Sequence, residues 1–172
     1  KVLTKDGSGS IFSIMGGIMW AVQNGMQVIN MSLGAAQSIP FMEYAIQQAY
    51  ASGITIVAAA GNSRGGPVSY PAAYSKEGEV IAVSASDSDN KLAAFSSIGP
   101  EVNFIAPGMD IVSTSLESDY VSLSGTSMAA PHVTGLAALA ISRGARGVGG
   151  PDGVLAALKY GAASIGLEAN HQ

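Results

Sequence analysis

A serine at the start of an apolar helix is the residue of this chain best suited to covalent chemistry. Residues 125–133 read Gly-Thr-Ser-Met-Ala-Ala-Pro-His-Val and follow a strand-like run at residues 120–124. Ser127 therefore falls in the first turn of a predicted helix, where backbone N–H groups lack internal partners and the helix dipole favours negative charge. Pro131 fits this region because its missing N–H falls among donors that are nearly all unpaired. The pattern predicts a nucleophile beside an oxyanion site, although an ordinary helix cap would also place a serine here.

A second segment offers a hydrogen-bond donor for that oxyanion. Residues 58–62 read Ala-Ala-Ala-Gly-Asn and place the amide of Asn62 just past the carboxyl end of an apolar strand. Ligand sites in open parallel sheets form at that edge, and an amide can donate to an oxyanion without carrying a charge. The alternative interpretation is that Asn62 only tolerates a left-handed turn after Gly61.

Both segments resemble those of one family, the subtilisin-like serine proteases. Residues 125–133 resemble its catalytic-serine motif, and Ala-Ala-Gly-Asn resembles its oxyanion segment, in the order that the family has them. The resemblance implies a serine endopeptidase in which Ser127 attacks the peptide bond while Asn62 and the Ser127 N–H bind the oxyanion. It covers roughly residues 1–145. Its further segments are Phe95-Ser96-Ser97, residues 105–108 and residues 111–114.

Two glycine-containing segments are predicted to hold the substrate. A protease binds its substrate extended, and backbone pairing with a strand of the enzyme holds a peptide in that form. Glycines let two chains approach because no Cβ stands between them. By resemblance to the family, the peptide is clamped between Gly7-Ser8-Gly9 and Ser32-Leu33-Gly34, and the cleft also includes Ala60 and Gly61. Without the resemblance, the first segment is an ordinary turn and the second an ordinary strand end.

No residue of the chain is predicted to act as the base that a serine nucleophile needs. The sequence contains two histidines, His132 and His171. His132 lies five residues after Ser127, about 140° around the helix axis, so it is predicted to face away from Ser127 and to be a buried structural histidine. His171 lies in an irregular tail at the end of the chain. The order in the family is Asp, His, Ser, and nothing in this sequence matches the Asp or the His motif.

The missing groups lead to an expectation about the chain as a whole. Residues 1–172 are predicted to form a single partial subtilisin-like catalytic domain, with the Asp and the His supplied by an upstream segment of the same protein. Alone, the chain is expected to show little or no triad-type hydrolysis. A sheet edge would then be left uncovered, and a homodimer joined through that edge is an expected consequence.

The elements that must position these residues alternate between helix and strand. This order predicts an α/β fold with three layers, in which a central, mostly parallel sheet is flanked by helices and is incomplete at the N-terminus. Because residues 126–142 carry no charged side chain apart from His132, the serine helix is predicted to be surrounded by protein. Apolar spacing predicts helices at residues 11–24, 40–51, 126–143 and 154–160, and strands at residues 28–32, 54–60, 80–83, 102–105 and 111–114.

Composition excludes several other classes of protein. The chain has 172 residues, 48% of them apolar and 12% charged, so it can bury a core and is not disordered. A net charge of −4 without a Lys/Arg cluster gives no basis for binding nucleic acid. The apolar stretches are interrupted by Gly, Ser and Asn, so no membrane span is predicted. The absence of cysteine leaves the compartment open, and the family resemblance favours secretion.

The sequence assigns no metal ligand and no cofactor. By resemblance, calcium is a possible structural ion. The insertion at residues 76–79 falls where the family often binds a weak cation through carbonyl groups, and the tighter calcium site of many relatives would lie in the missing upstream part. Ser63 stands where many relatives carry an acidic residue, and residues 64–69 form a short loop. Both segments would shape the pocket for the side chain that precedes the cut. Arg64 could favour an acidic or neutral group there, but as a solvated loop charge it would have no such role.

Two other functions are left open by the residues themselves. A non-catalytic fragment of the family would bind peptides or a partner protein through the same cleft and sheet edge. An α/β hydrolase acting on esters would need Gly-x-Ser-x-Gly, but Ala129 stands two residues after Ser127. The residues that precede Lys1 in the gene distinguish the enzyme from the binding module, because an Asp–His pair there would supply the missing base.

Overall fold

Four parallel strands form the centre of the computed structural model, which describes residues 1–116, 119–150 and 152–163. Every residue of the two middle strands is buried, as expected for a parallel sheet that is covered on both faces. All four strands lie where the sequence predicts them, with small differences at their ends. In spatial order they are β1 (Val28–Met31), β2 (Thr55–Ala59), β3 (Val80–Ser86) and β4 (Val102–Pro107).

Helices cover both faces of this sheet, which confirms the predicted three-layer α/β fold. Side chains of the middle strands alternate between two cores, so that Ile56 of β2 contacts one and Val57 the other. No helix in the described part of the chain is long and apolar enough to cross a membrane. The helices are α1 (Ile11–Gln23) and α2 (Pro40–Ala51) on one face, and α3 (Thr126–Ser142) and α4 (Val154–Gly161) on the other.

A hairpin outside the sheet leads the chain into α3. Its strands β5 (Ile111–Thr114) and β6 (Tyr120–Leu123) are antiparallel, with Ile111 opposite Leu123. Directly after β6, the Gly125 N–H donates a 2.7 Å hydrogen bond to the carbonyl of Gly108, which follows β4. The first residues of α3 are thereby fixed to the carboxyl end of the sheet.

The prediction that α3 is surrounded by protein is wrong for the described structure. Its sheet-facing side is buried, but Leu136 and Leu139 on the other flank are 53% and 60% exposed. His132 is exposed as well, so the prediction of a buried histidine is also wrong. These three side chains line a groove of about 1740 Å³ between α3, β4 and α4. A helix that is apolar on all sides has the same composition whether one flank or every flank is covered, so the sequence could not reveal the open side.

One carboxyl group directly before β3 is partly buried at an energetic cost. The Oε2 atom of Glu79 is buried and has no hydrogen-bond partner among the described residues. Burial raises the pKa of this carboxyl above its ordinary value of 4.5; the charges of Glu43 and Glu77 also raise it, and a hydrogen bond from Gln47 lowers it. Because the folded chain binds this proton more tightly than the unfolded chain, Glu79 contributes stability below the ordinary pKa. That contribution is lost as the pH rises through the raised value.

We therefore expect Glu79→Gln to raise the free energy of unfolding at about pH 7 and to leave it nearly unchanged at about pH 4. The neutral amide lacks the charge that is unfavourable in this place, so the gain should grow with pH. Urea unfolding of both proteins across this range measures the difference. Glu77→Gln, at an exposed position, is the matched control and should give a much smaller gain. A gain of equal size at both pH values would contradict this explanation.

Candidate active site

The site lies where the carboxyl ends of β1 and β2 meet the first turn of α3. Residues 32–34 follow β1, residues 60–62 follow β2, and Thr126 and Ser127 are the first two residues of α3. This edge of a parallel sheet is where the loops after neighbouring strands come together. The fold thus brings Asn62 and Ser127 to one place.

Asn62 caps α3 from the neighbouring loop. Its Oδ1 accepts hydrogen bonds from the Thr126 N–H at 3.0 Å and from the Thr126 hydroxyl at 3.2 Å. The same hydroxyl accepts a 3.1 Å bond from the Gly61 N–H, and Thr126 is only 1% exposed. These donors fix which side of the Asn62 amide is the oxygen, and so they turn its Nδ2 away from Thr126.

Two free donors are left beside Gly125. Asn62 Nδ2 and the backbone nitrogen of Ser127 lie 3.5 and 3.8 Å from the position that a Cβ on Gly125 would occupy. Within residues 1–116, 119–150 and 152–163, neither N–H donates to a protein acceptor. The Ser127 N–H is free because it belongs to the first turn of the helix. Two uncharged donors close to one point suit an oxyanion.

The structure contradicts the two simpler interpretations of these residues. Gly125 is the N-cap of α3 and Ser127 the second residue of the helix, so the Ser127 side chain is not an ordinary cap. The left-handed backbone after β2 is at Gly61, with φ +110°, and Asn62 has no positive φ. A glycine is needed at Gly61 for a second reason, because a Cβ there would lie 2.9 Å from Ser69 Oγ.

Ser127 is half-buried and contacts the segment after β1. Its Oγ lies 3.5 Å from the Ser32 carbonyl, a long contact that leaves the hydroxyl without a strong partner. A cavity of about 300 Å³ opens beside it. The cavity has no charged side chain in its wall, which is made by Leu33, Gly34, Ala35, Ala36, Ala59, Gly61, Asn62, Ser63, Ser69, Thr126 and Ser127.

Other predicted binding residues lie outside this cavity wall. Gly7, Ser8 and Gly9 form an exposed turn before α1, closed by a 2.8 Å bond from the Thr4 N–H to the Ser8 carbonyl. Ala60 is fully buried, and its carbonyl accepts from the Ser69 N–H at 2.8 Å. Their roles in binding a substrate stay predictions.

Thr126 and Ser69 support this site, and the sequence alone does not single out either residue. Thr126 lies inside the recognised serine motif, but its contact with Asn62 joins residues far apart in the chain. Ser69 lies within hydrogen-bonding distance of the Ala60 carbonyl and narrows the cavity next to Gly34. No sequence pattern signals either contact, because each depends on how the loops pack.

No described histidine can reach Ser127. His132 places its Nδ1 2.9 Å from the Met128 carbonyl and lines the large groove, whereas Ser127 lines the small cavity. The prediction that His132 faces away from Ser127 agrees with this placement. His171 lies outside the described residues.

The weak cation site near residues 76–79 and a structural calcium ion stay predictions from the resemblance. In the part of the chain that the structure describes, no three His, Cys, Asp or Glu side chains come together to hold a metal ion. Lys76 of this insertion lies 3.6 Å from Glu101 in an ion pair. The side chains present therefore do not form a calcium site of the usual carboxylate type.

Comparison with known proteins gives a consistent picture. The sequence profile of the subtilase family matches residues 1–158. Subtilisin DY of Bacillus licheniformis is 50% identical over 147 residues, which are 83% of this chain and 53% of that protein. Minor extracellular protease Epr of Bacillus subtilis is 46% identical over 140 residues, 81% of this chain and 21% of its own length.

A solved structure agrees with the sequence comparisons. The crystal structure of a cold adapted subtilisin-like serine proteinase superposes with a TM-score of 0.77 at 37% identity, covering 84% of this chain and 52% of that one. The chain thus spans about half, or less, of the length of these proteins.

Proposed function

Because this chain belongs to the subtilase family, we propose that it carries the nucleophile, the oxyanion site and part of the substrate cleft of a serine endopeptidase. Ser127 is the nucleophile in this proposal. Its Oγ attacks the carbonyl carbon of the scissile peptide bond and forms a tetrahedral intermediate. Asn62 Nδ2 and the Ser127 N–H bind the negatively charged oxygen of that intermediate.

The observation that supports the proposal best is the pair of free donors beside Gly125. They are held before any substrate arrives, because Thr126 fixes the Asn62 amide and the helix fixes the Ser127 N–H. Donors that need no reorganisation during the reaction lower its barrier most. The positive end of the α3 dipole acts in the same direction.

The base and its orienting carboxylate come, in this proposal, from an upstream segment of the same protein. His132 lines a different cavity from Ser127, and the long contact of the Ser127 hydroxyl leaves it free to donate its proton to another group. The complete protease would be this chain, as a partial catalytic domain, together with that segment. The chain alone would then show little or no hydrolysis.

The substrate is proposed to be an extended peptide or protein segment. Its backbone would pair with residues 32–34 on one side and residues 7–9 on the other. The side chain before the cut would enter the small cavity, whose uncharged wall favours an uncharged group. Exposed Arg64 lies outside the wall of that cavity.

Two further properties of the protein are proposed, its secretion and its assembly. Secretion is proposed because one relative is named as an extracellular protease, and activity in the culture medium tests it.

A homodimer through the free edge of β1 is proposed because this strand pairs only with β2 within the described sheet. A single monomeric species in light scattering would exclude the dimer.

The experiment that tests the proposal is hydrolysis of a chromogenic peptide by the complete protease, with and without a sulfonyl fluoride. We expect turnover that the sulfonyl fluoride abolishes, because this reagent modifies an activated serine. Zinc chelation serves as the control and should leave the activity unchanged. Peptide binding without turnover would contradict the proposal and favour the alternative of a non-catalytic binding module.

A further inference from the structure

The carbonyl of Ser127 lacks the partner that a helix normally gives it. In an α-helix each carbonyl accepts from the N–H four residues later. That position is Pro131, which lies inside α3 and has no N–H. An unpaired carbonyl this close to the nucleophile would allow the first turn to shift, so its replacement partner has consequences for the site.

Ser32 supplies the replacement. Its Oγ donates a 2.7 Å hydrogen bond to the Ser127 carbonyl, although the two residues are 95 positions apart in the chain. Ser32 follows β1, so this bond fixes the first turn of α3 directly to the sheet. The bond lies beside the 3.5 Å contact between Ser127 Oγ and the Ser32 carbonyl. In each of the two contacts, the side-chain hydroxyl of one residue lies against the backbone carbonyl of the other.

Asn30 and Thr134 hold the Ser32 hydroxyl in this orientation. Asn30 Nδ2 lies 2.9 Å from Ser32 Oγ, and Asn30 Oδ1 lies 2.9 Å from the Thr134 hydroxyl. Thr134 belongs to α3, and its hydroxyl also lies 2.9 Å from the Ala130 carbonyl, so it can donate to either acceptor. The hydrogen bonds thus run from α3 to β1 and back to α3.

The direction of these bonds is set by the Ser127 carbonyl, which can only accept a hydrogen bond. The Ser32 hydroxyl donates its hydrogen bond to the Ser127 carbonyl, so Ser32 Oγ must accept the bond from Asn30. The Asn30 amide must therefore turn its Nδ2 towards Ser32. Asn30 Oδ1 is then left to accept from Thr134. A single arrangement of protons satisfies every group, and such an arrangement makes a rigid support.

We propose that Ser32 is a positioning residue for Ser127, held in place by Asn30 and Thr134. Its hydroxyl replaces the helical hydrogen bond that Pro131 removes. This bond fixes the position of the first turn of α3 relative to the end of β1. The effect on rate rests on the proposed role of Ser127 as the nucleophile. The effect on the backbone of Ser127 does not.

A double-mutant cycle with Pro131→Ala tests this inference in the complete protease. Ser32→Ala alone is expected to lower kcat by about ten- to a hundred-fold with little change in KM, because a small misplacement of the nucleophile is costly. Pro131→Ala restores an N–H four residues after Ser127. In that background Ser32→Ala should lower kcat by less than about threefold. Ser32→Thr, which keeps a hydroxyl, should recover most of the activity lost in Ser32→Ala. Equal losses in the two backgrounds would overturn the inference.

A second measurement does not depend on activity. In the 172-residue chain, the carbonyl ¹³C signal of Ser127 should move on Ser32→Ala, and it should stay in place when Pro131→Ala is already present. A signal that Ser32→Ala leaves unchanged would overturn the inference even if the protease is active. If the complete protease is inactive but the carbonyl signal behaves as expected, the proposed function fails and the positioning contact stands.

Discussion

Ser127→Ala is expected to remove nearly all peptide hydrolysis from the complete protease. In subtilisin, loss of the nucleophilic serine lowers kcat by about 10⁶-fold, and we expect a loss of the same order here. Ser127 lies in the first turn of α3, and its own N–H is one of the two free donors beside Gly125. The activity that is left would come from the oxyanion site and substrate binding alone.

The measurement is kcat and KM for a peptide substrate, with Ser122→Ala as the matched control. Ser122 is an exposed serine of β6 that lies outside the small cavity wall, so its replacement should change kcat by less than about twofold. Folding of Ser127→Ala is checked by circular dichroism. A folded variant that keeps more than about one hundredth of kcat would show that another residue attacks the substrate.

Substitutions at Asn62 are expected to have the second-largest effect on kcat. They should also separate the two roles of this residue, which are to donate to the oxyanion through Nδ2 and to cap α3 through Oδ1. Loss of the equivalent donor in subtilisin lowers kcat by about 10²–10³-fold, and Asn62→Asp should lose at least as much here. The carboxylate cannot donate, and it places a negative charge where the oxyanion forms. KM should change little, because the donor contacts a charge that develops only in the transition state.

The melting temperature of Asn62→Asp should not fall with its kcat. Asn62 Oδ1 caps α3 through Thr126, and a carboxylate at a helix N-terminus makes that cap stronger. Asn62→Asp should therefore keep or raise the melting temperature, whereas Asn62→Leu removes the cap and should lower both melting temperature and kcat. Thr126→Ser keeps the hydroxyl and serves as the control. An Asn62→Asp protease that retained its kcat would contradict the proposed role of Nδ2.

Much of the fold could be predicted from the sequence because its signals are local. The apolar segment ending in Ala59 is buried along its whole length, and no charged residue interrupts it. The residues of each half of the site are also contiguous, with Gly61 next to Asn62 and Thr126 next to Ser127. These halves meet because α3 begins at the carboxyl end of the sheet, where the Thr126 N–H donates to Asn62 Oδ1.

The parts that could not be predicted depend on contacts between distant residues. The open flank of α3 at Leu136 and His132 is decided by what covers the helix, not by its own residues. The contact of Ser32 with the Ser127 carbonyl joins positions 95 residues apart. The sequence predicts only that Pro131 is tolerated near a helix start, whereas in the structure it lies inside α3 and leaves the Ser127 carbonyl for Ser32 to satisfy.

The most direct test of the account is to treat the complete protease and the isolated 172-residue chain side by side with a fluorophosphonate and to map the adduct by mass spectrometry. In the complete protease the adduct should be on Ser127, with Ser127→Ala unlabelled. In the isolated folded chain Ser127 should stay essentially unlabelled, because the one histidine that the structure describes, His132, lines a different cavity and cannot take its proton. An adduct on another residue of the complete protease, or full labelling of Ser127 in the isolated chain, would contradict the account.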